Sequence, residues 1–199
     1  MELKISIVTC SDTRDLAQDE AGAVLEELIA AQGWMVASHT VVHDDVDEIG
    51  AAIVAAADDC QANVVITCGG TGLSMRDVTP EATRTVCDRD VPGIAEAIRA
   101  YSMTKTRRAM LSRAVCMQLG YTLVINFPGS TKAARESWEA VSDQLEHAAQ
   151  MTAGGGHAKL AHYLRRSNPT GCSAFLCSDG AGRLAVIGKR KLSGESYSS

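Results

Sequence analysis

The chain has 199 residues, of which 46% are hydrophobic and 22% charged, and its formal net charge is −5. The apolar content is sufficient for a sizeable core, and the acidic balance gives no reason to expect a nucleic-acid or membrane-surface partner. No apolar run comes near the roughly 20 residues of a membrane-spanning helix, and the first residues lack the features of a signal peptide. We therefore expect a soluble, cytoplasmic protein with one main domain.

Aromatic residues make up only 4% of the chain, so the core must consist of Ala, Val, Leu and Ile, as is typical of a parallel sheet covered by helices. The seven cysteines include no C-x-x-C pair, and we expect them to be small buried apolar residues. Cys172 and Cys177 could bind a metal or form a disulfide, but no second pair accompanies them. Cys68 is the cysteine to test for reactivity.

The hydrophobic pattern predicts that strands and helices alternate along the chain. Strands are predicted over residues 3–9, 34–42, 63–67 and 121–127, and helices over residues 18–32, 79–89 and 92–101. A further helix follows the acidic residues 44–48, where Asp45 is favoured as N-cap and Asp47 or Glu48 as the partner in a capping box. The periodicity of residues 110–119 fits a strand and a helix equally. The alternation predicts a three-layer, doubly wound α/β fold with a mostly parallel sheet.

The most informative stretch is the glycine cluster at residues 69–72, which directly follows the β-branched run 64–67. Taken alone it fits a tight turn, but glycines also allow positive φ and let a ligand approach bare amide groups. Asp77 comes next, and Thr79 is then predicted as the N-cap of a helix with Pro80 at its first position. Because the carboxyl ends of parallel strands meet at one edge of a sheet, this order predicts an anion-binding site there.

Two other polar segments are candidates for the same edge, and a basic run is a candidate for ligand binding. Residues 10–14 follow the first strand and form either a solvated loop or a substrate contact. Residues 128–132 follow a later strand, and Ser130 or Thr131 is predicted to cap the next helix. The buried stripe of that helix is predicted to comprise Ala134, Trp138, Val141, Leu145 and Ala148. The basic run 105–113 is either a solvated face or a source of positive charge for a phosphorylated ligand.

The character of the sequence changes near residue 153. We therefore divide the chain into a main domain, residues 1–152, and a C-terminal extension, residues 153–199. The extension is predicted to contain a glycine linker at residues 154–156, a short basic helix at 157–166 and a hairpin at 174–187. Its last dozen residues are polar and are predicted to be disordered.

Several of these motifs occur together in the order seen in one known family. The chain resembles the MogA/MoaB family, molybdopterin adenylyltransferases of molybdenum cofactor biosynthesis, at residues 67–72, 76–82, 92–93, 111–113 and 126–130. The acidic pair 44–45 also matches, residues 19–22 match less closely, and the resemblance extends over residues 3–150. It implies the family's three-layer α/β fold, usually assembled as a homotrimer or homohexamer.

The resemblance implies a reaction in which AMP passes from ATP to molybdopterin and pyrophosphate is released. It implies Mg²⁺ as the metal, held by Asp44 and Asp77, and a catalytic set of Asp44, Asp77 and Ser112. The residues implied in binding the nucleotide, the pterin or their phosphates are Thr67, Gly69, Gly70, Thr71, Gly72, Arg113, Pro128, Gly129, Ser130 and Lys132.

Two other functions are compatible with these residues. One is a non-catalytic, oligomeric molybdopterin-binding or carrier protein of the same fold, which needs the glycine loop and the basic residues. The other is a nucleotide-binding regulator that binds ATP without a pterin. Asp44 and Asp77 discriminate the first of these from the enzyme, because only the enzyme needs both carboxylates at a metal.

Overall fold

A computed structural model describes residues 2–154 and, as backbone only, residues 164–166, 174–178 and 184–189. The chain separates into two compact units, Met1–Gly155 and Gly156–Ser199. The predictions for the glycine linker beyond residue 154, the start of the basic helix, Cys172 and the last dozen residues concern parts of the chain outside the described residues.

The first unit is built on a six-stranded sheet in the order β2-β1-β3-β6-β5-β4. The strands are β1 (Lys4–Cys10), β2 (Met35–Val42), β3 (Val64–Cys68), β4 (Arg89–Asp90), β5 (Cys116–Leu119) and β6 (Thr122–Phe127). Strands β2, β1, β3 and β6 pair in parallel, whereas β5 runs antiparallel to both of its neighbours. The predicted mostly parallel α/β sheet is confirmed.

Five helices cover the two faces of this sheet: α1 (Glu20–Ala31), α2 (Val46–Asp58), α3 (Thr79–Val86), α4 (Pro92–Met103) and α5 (Thr131–Thr152). One core lies under α1, α4 and α5, with Leu25, Ile98 and Trp138 packed on the sheet. The second lies under α2 and α3, with Ile53 and Ala82 packed on the opposite face. The central strands are buried on both faces, which is why their sequences read as continuous β-branched runs.

Side chains at the carboxyl edge of the sheet set the start of three helices. Asp19 accepts a hydrogen bond from the Gly22 amide (3.0 Å) and caps α1. Asp45 caps α2 and Ser130 caps α5, as predicted. Glu48 does not complete a capping box with Asp45. Its carboxylate instead accepts a hydrogen bond from the His43 backbone amide at 3.3 Å.

In three segments the structure differs from the sequence prediction or decides between its alternatives. The helix predicted over residues 79–89 ends at Val86, because Arg89–Asp90 pairs with β5 as strand β4. The ambiguous residues 110–119 divide between a short 3₁₀ helix, Arg107–Leu111, and strand β5. In α5, Ala149 is fully buried and Ala148 only partly, so the buried stripe ends one residue later than predicted.

Thr79 is not the N-cap of α3. Val78 occupies the cap position without a side-chain hydrogen bond, and Thr79 and Pro80 lie in the first turn. The Thr79 backbone amide donates to the Gly70 carbonyl oxygen (3.2 Å), so the glycine loop fixes where this helix begins.

The second unit contains a three-stranded antiparallel sheet of β7 (Leu164–Arg166), β8 (Ala174–Ser178) and β9 (Leu184–Lys189). The antiparallel pairing of β8 with β9 confirms the predicted hairpin. Residues 164–166 were predicted to be helical, but they pair with β8 as a strand.

Candidate active site

Three loops meet at the carboxyl ends of β1, β3 and β6 because glycines allow their backbones to touch. Gly69 has φ of +113°, and a Cβ atom there would lie 2.4 Å from the Cys10 carbonyl oxygen. A Cβ atom on Gly129 would lie 3.0 Å from the Gly69 Cα. The Gly69 amide donates to the Phe127 carbonyl oxygen (3.0 Å), which joins the second and third loops. No larger residue fits these contacts without moving backbone.

These loops form the walls of a cleft of about 430 Å³ that is open to solvent. Of the residues singled out in the sequence, the cleft is lined by Asp44, Asp77, Gly69, Gly70, Thr71, Gly72, Gly129 and Ser130. The remaining lining residues are Cys10, Ser11, Asp12, Thr13 and Arg14, from the loop after β1.

Asp44 enters the cleft from the loop between β2 and α2. Its backbone amide donates to Asp12 Oδ1 (3.1 Å), while its own Oδ1 is buried and has no hydrogen-bond partner among the described residues. Burial, and then repulsion from Asp12, raises the pKa of the Asp44 carboxyl above its usual value. The neighbouring Asp45 carries the helix cap, so Asp44 is not needed for that role.

Asp77 lies against the glycine loop. Its Oδ2 accepts a hydrogen bond from the Ser74 amide (2.8 Å) and would lie 3.0 Å from a Cβ atom on Gly72. Asp44 and Asp77 therefore face the same cleft, as the resemblance implies. The described residues contain no group of three or more His, Cys, Asp or Glu side chains arranged to hold a metal ion.

Asp12 belongs to an ion pair at the rim of the cleft. Arg76 donates to Asp12 Oδ2 from Nε (2.9 Å) and from Nη2 (2.5 Å). The Arg76 guanidinium, followed by the Asp44 amide, holds the pKa of Asp12 below its usual range. Both groups are substantially exposed, so water screens this pair.

Backbone amides of the glycine loop are free to bind an anion. The amides of Gly70, Thr71 and Gly72 donate no hydrogen bond within the part of the chain that the structure describes. Gly70 has φ of +61°, and a Cβ atom there would lie 2.3 Å from Thr79 Oγ1 and 3.1 Å from Asp44 Oδ1. Gly70, the first residue with a free amide, therefore lies directly beside the Asp44 carboxylate.

Arg113 holds the glycine loop from outside the cleft. Its backbone amide donates to the Thr71 carbonyl oxygen (2.9 Å), and its Nε donates to the Gly72 carbonyl oxygen (2.7 Å). Its remaining guanidinium nitrogens bind the Asp77 carbonyl oxygen and the Glu81 carboxylate (2.6 Å from Nη1). Arg113 does not line the cleft, and these bonds occupy all three of its guanidinium nitrogens.

Four other residues of the predicted set also lie outside the cleft lining. Thr67 is fully buried and accepts a hydrogen bond from Asn126 Nδ2 (2.9 Å). Ser112 accepts from the Ala114 amide (3.3 Å), and the Pro128 carbonyl oxygen accepts from Cys68 Sγ (3.5 Å). Lys132 is exposed, with Nζ 3.9 Å from Glu136 Oε1.

Arg14 belongs to the segment 10–14, for which the sequence left a solvated loop and a substrate contact equally open, and it was not among the individual binding residues predicted. Its Nη1 donates to the Gly129 carbonyl oxygen (3.2 Å), and among the described residues it is the only cationic side chain lining the cleft. Its position directly after a strand was the available signal, but a polar loop of this composition fits solvent exposure equally well.

The cysteines near the cleft are unreactive by environment. Burial raises the pKa of the Cys10 and Cys68 thiols to about 12, so both are neutral at physiological pH. The prediction of small buried apolar cysteines is confirmed for Cys10, Cys68 and Cys116, whereas Cys60 and Cys87 are partly exposed.

The fold and the cleft define an α/β protein with a polar site at the carboxyl edge of a mostly parallel sheet. Residues 6–147 match a family described as a probable molybdopterin binding domain. The match spans more than half of the chain, and the chain belongs to the MogA/MoaB family of molybdenum cofactor biosynthesis.

Individual relatives agree with this assignment. The chain is 39% identical over 136 residues to molybdenum cofactor biosynthesis protein B of Bacillus cereus, covering 67% of this chain and 80% of that protein. It is 31% identical over 156 residues to the molybdopterin adenylyltransferase of Helicobacter pylori, and the match covers 76% of this chain and 89% of that protein. The crystal structure of the molybdopterin biosynthesis enzyme MoaB from Thermus thermophilus superposes on this chain with a TM-score of 0.71 at 41% identity. The superposition covers 76% of this chain and 97% of that structure.

The described helices include none with the length and apolarity needed to cross a bilayer.

Proposed function

We propose that the protein is a molybdopterin adenylyltransferase, which transfers AMP from Mg-ATP to molybdopterin and releases pyrophosphate. The observation that carries this proposal is the pairing, in one cleft, of the buried and unpartnered Asp44 Oδ1 with the free amides of Gly70, Thr71 and Gly72. A carboxylate repels an anion, so a site with both features suits an anion that arrives together with a cation.

The residues present fit Mg²⁺ as that cation. Mg²⁺ prefers hard oxygen ligands and is usually held by one or two carboxylates together with the phosphates of a substrate. Asp44 and Asp77 supply two carboxylates, and the lack of a three-acid cluster in the described residues suits an ion that arrives with its nucleotide. When bound, Mg²⁺ neutralises phosphate charge and so assists departure of pyrophosphate.

The loop after β6 suits a second phosphate group. Arg14 lies beside Gly129 there, and Ser130 begins the 22-residue helix α5, whose N-terminus carries partial positive charge. Molybdopterin carries a terminal phosphate, which would be the nucleophile. Two anionic substrates would thus bind between a carboxylate pair and a guanidinium.

In this proposal the chain accelerates the reaction by orientation and charge. A phosphate oxygen of molybdopterin forms a bond to the α-phosphorus of ATP, and the bond from that phosphorus to the pyrophosphate oxygen breaks. The nucleophile is already an anion, so no side chain has to remove a proton. The glycine-loop amides would hold phosphate oxygens, and Arg113 would keep those amides in place through its bonds to Gly72 and Asp77.

We extend the proposal to assembly and compartment: a cytoplasmic homotrimer or homohexamer, as the resemblance implies. Light scattering after size-exclusion chromatography tests the assembly directly. A monomer at micromolar concentration would contradict it.

The test of activity is pyrophosphate release by the purified protein with molybdopterin, ATP and Mg²⁺, compared between wild type and Asp77→Asn. The substitution keeps the shape and the acceptor for the Ser74 amide but removes the charge. We expect it to abolish release while molybdopterin binding persists. Asp45→Asn is the matched control, because Asn also caps helices well and residue 45 does not line the cleft.

Absence of release by the wild-type protein, with molybdopterin still bound, would contradict the enzyme and favour the carrier. Equal loss of binding and release in Asp77→Asn would show that Asp77 is structural.

A further inference from the structure

Two buried polar side-chain atoms lack a hydrogen-bond partner among the described residues: Asp44 Oδ1 and Thr79 Oγ1. Such atoms are rare in folded proteins, and each calls for an explanation, because burying an unpaired polar atom destabilises the fold. The two atoms lie beside one residue, Gly70. A Cβ atom there would be 3.1 Å from Asp44 Oδ1 and 2.3 Å from Thr79 Oγ1.

The position of Thr79 is fixed from both sides. Its amide donates to the Gly70 carbonyl oxygen (3.2 Å), and its own carbonyl oxygen accepts from the Thr83 hydroxyl (2.9 Å). Thr83 in turn accepts from Asn126 Nδ2 (2.9 Å). Thr79 is fully buried. This network fixes the Thr79 backbone, and the Thr79 hydroxyl lies, like Asp44 Oδ1, beside Gly70. The hydroxyl accepts no capping hydrogen bond for α3.

The Thr79 hydroxyl interacts with the nearby Cys10 thiol, and this interaction lowers the pKa of the thiol, but it is a weak hydrogen bond. Cys10 Sγ donates to the Val8 carbonyl oxygen (3.7 Å), and a neutral thiol is a weak acceptor. The Thr79 hydroxyl hydrogen therefore remains available for a stronger acceptor, and the Asp44 carboxylate is such an acceptor.

We propose that Thr79 is a positioning residue whose hydroxyl donates a hydrogen bond to Asp44 Oδ1 when the site binds a divalent cation with a nucleotide. The inference rests on the proposed function. The bond orients the carboxylate by one oxygen and leaves the other oxygen for the cation. Glycine is required at residue 70 because its φ is positive and because a Cβ atom there would clash with the Thr79 hydroxyl and crowd Asp44 Oδ1.

The experiment compares Thr79→Val, which has the shape of threonine without the hydroxyl, with Thr79→Ser, which keeps it. Thr122→Val is the matched control, since Thr122 is a buried threonine at the start of β6, away from the cleft, whose hydroxyl donates to the Ala62 carbonyl oxygen (2.7 Å). Two quantities are measured for each protein without molybdopterin: the Tm in the absence of ligand, and the Mg²⁺ concentration that half-saturates ATP binding in calorimetry.

For Thr79→Val we expect an unliganded Tm equal to or above that of wild type, because the lost hydroxyl was unpaired. We expect its half-saturating Mg²⁺ concentration to rise about ten- to hundredfold, the effect of losing one hydrogen bond to a charged group. Thr79→Ser should stay within about threefold of wild type. Thr122→Val should show the reverse pattern, a lower Tm with unchanged Mg²⁺ dependence.

A double-mutant cycle with Asp44→Asn tests whether Thr79 acts through Asp44. Adding Thr79→Val to Asp44→Asn should cause no further change in Mg²⁺ dependence. A lower Tm in Thr79→Val with wild-type Mg²⁺ dependence, or an undiminished effect of Thr79→Val in the Asp44→Asn background, would overturn the proposal. Failure of wild type to bind Mg-ATP would instead refute the proposed function, and this inference with it.

Discussion

Asp19 and Asp44 are two acids at the same edge of the sheet, and they differ in how their charges are satisfied. Asp19 accepts hydrogen bonds from the Thr9 hydroxyl (2.5 Å) and the Gly22 amide (3.0 Å), and its Oδ2 lies 2.9 Å from His39 Nε2. Burial would raise its pKa, but the bonds from His39, Thr9 and Gly22 outweigh burial and hold the pKa at about 2. For Asp44, burial and repulsion prevail, and the pKa is raised.

The proposed function accounts for this difference: Asp19 is a structural acid, and Asp44 would be an acid kept for a ligand. Asp19 joins β1, β2 and α1, and its charge stabilises the folded state. Asp44 is destabilised in the absence of a cation, and a protein tolerates such a group mainly where function requires it. The comparison predicts opposite responses to the same substitution at the two positions.

The largest effect is expected for Asp44→Asn. Under the proposed function, pyrophosphate release should fall about a thousandfold, because the proposed cation site would lose one of its two carboxylates. The Tm should equal or exceed that of wild type, since an unfavourable charge is removed. Steady-state kinetics and calorimetric melting check the two parts, with Asp45→Asn as control. A clearly lower Tm would show that Asp44 supports the fold.

Asp19→Asn should give the converse result. The variant leaves His39 without its buried counter-charge, and we expect a loss of about 2 kcal/mol in the free energy of unfolding. Activity per folded molecule should remain within about threefold of wild type. Urea denaturation and active-site titration measure these quantities. Unchanged stability would remove the contrast between the two acids.

Arg113→Lys should have an intermediate effect. Lysine can still pair with Glu81, but it cannot hold the carbonyl oxygens of Gly72 and Asp77 together. The KM for ATP should therefore rise about tenfold with little change for molybdopterin. Arg108→Lys, in the same basic run but exposed, is the control. A rise in the KM for molybdopterin alone would support instead the direct ligand contact that the resemblance implies.

The smallest expected effect is the pH dependence of the His39 contribution. Burial lowers its pKa, but Asp19 and Glu26, each 2.9 Å away, reverse this and raise it above 6.5. The stabilisation is therefore complete below pH 6.5 and is lost as the pH rises through the raised pKa. The difference in unfolding free energy between wild type and His39→Gln should shrink as the pH rises through the raised pKa of His39. A constant difference would show that His39 acts by packing alone.

The fold was predictable because local patterns and tertiary environment agree. Strand β3 is buried on both faces, and a short β-branched apolar run such as its sequence is typical of a strand in that environment. Asp45 and Ser130 cap their helices by local hydrogen bonds, which follow from sequence spacing. Residues 164–166 and the end of α3 were mispredicted because strand pairing with distant residues decides their structure.

The site was predictable only in part, because its decisive contacts are long-range. The glycine loop and both acids could be found from their position after strands. The orientation of Thr79 depends on Gly70, and the guanidinium of Arg113 is occupied by residues 32 to 41 positions away in sequence. Arg14 reaches Gly129 across 115 positions. No local pattern distinguishes such residues from solvated ones.

The glycine contacts that join the three loops also limit how this cleft can be redesigned or diversify. Where the loops touch, backbone packs on backbone, so these contacts offer no side chain whose exchange would alter ligand preference. Side chains that can be exchanged without moving this backbone include those of residues 11–14 and of the exposed residues 73–76. A mutational library aimed at new substrates should therefore sample the rim and leave Gly69 and Gly129 unchanged.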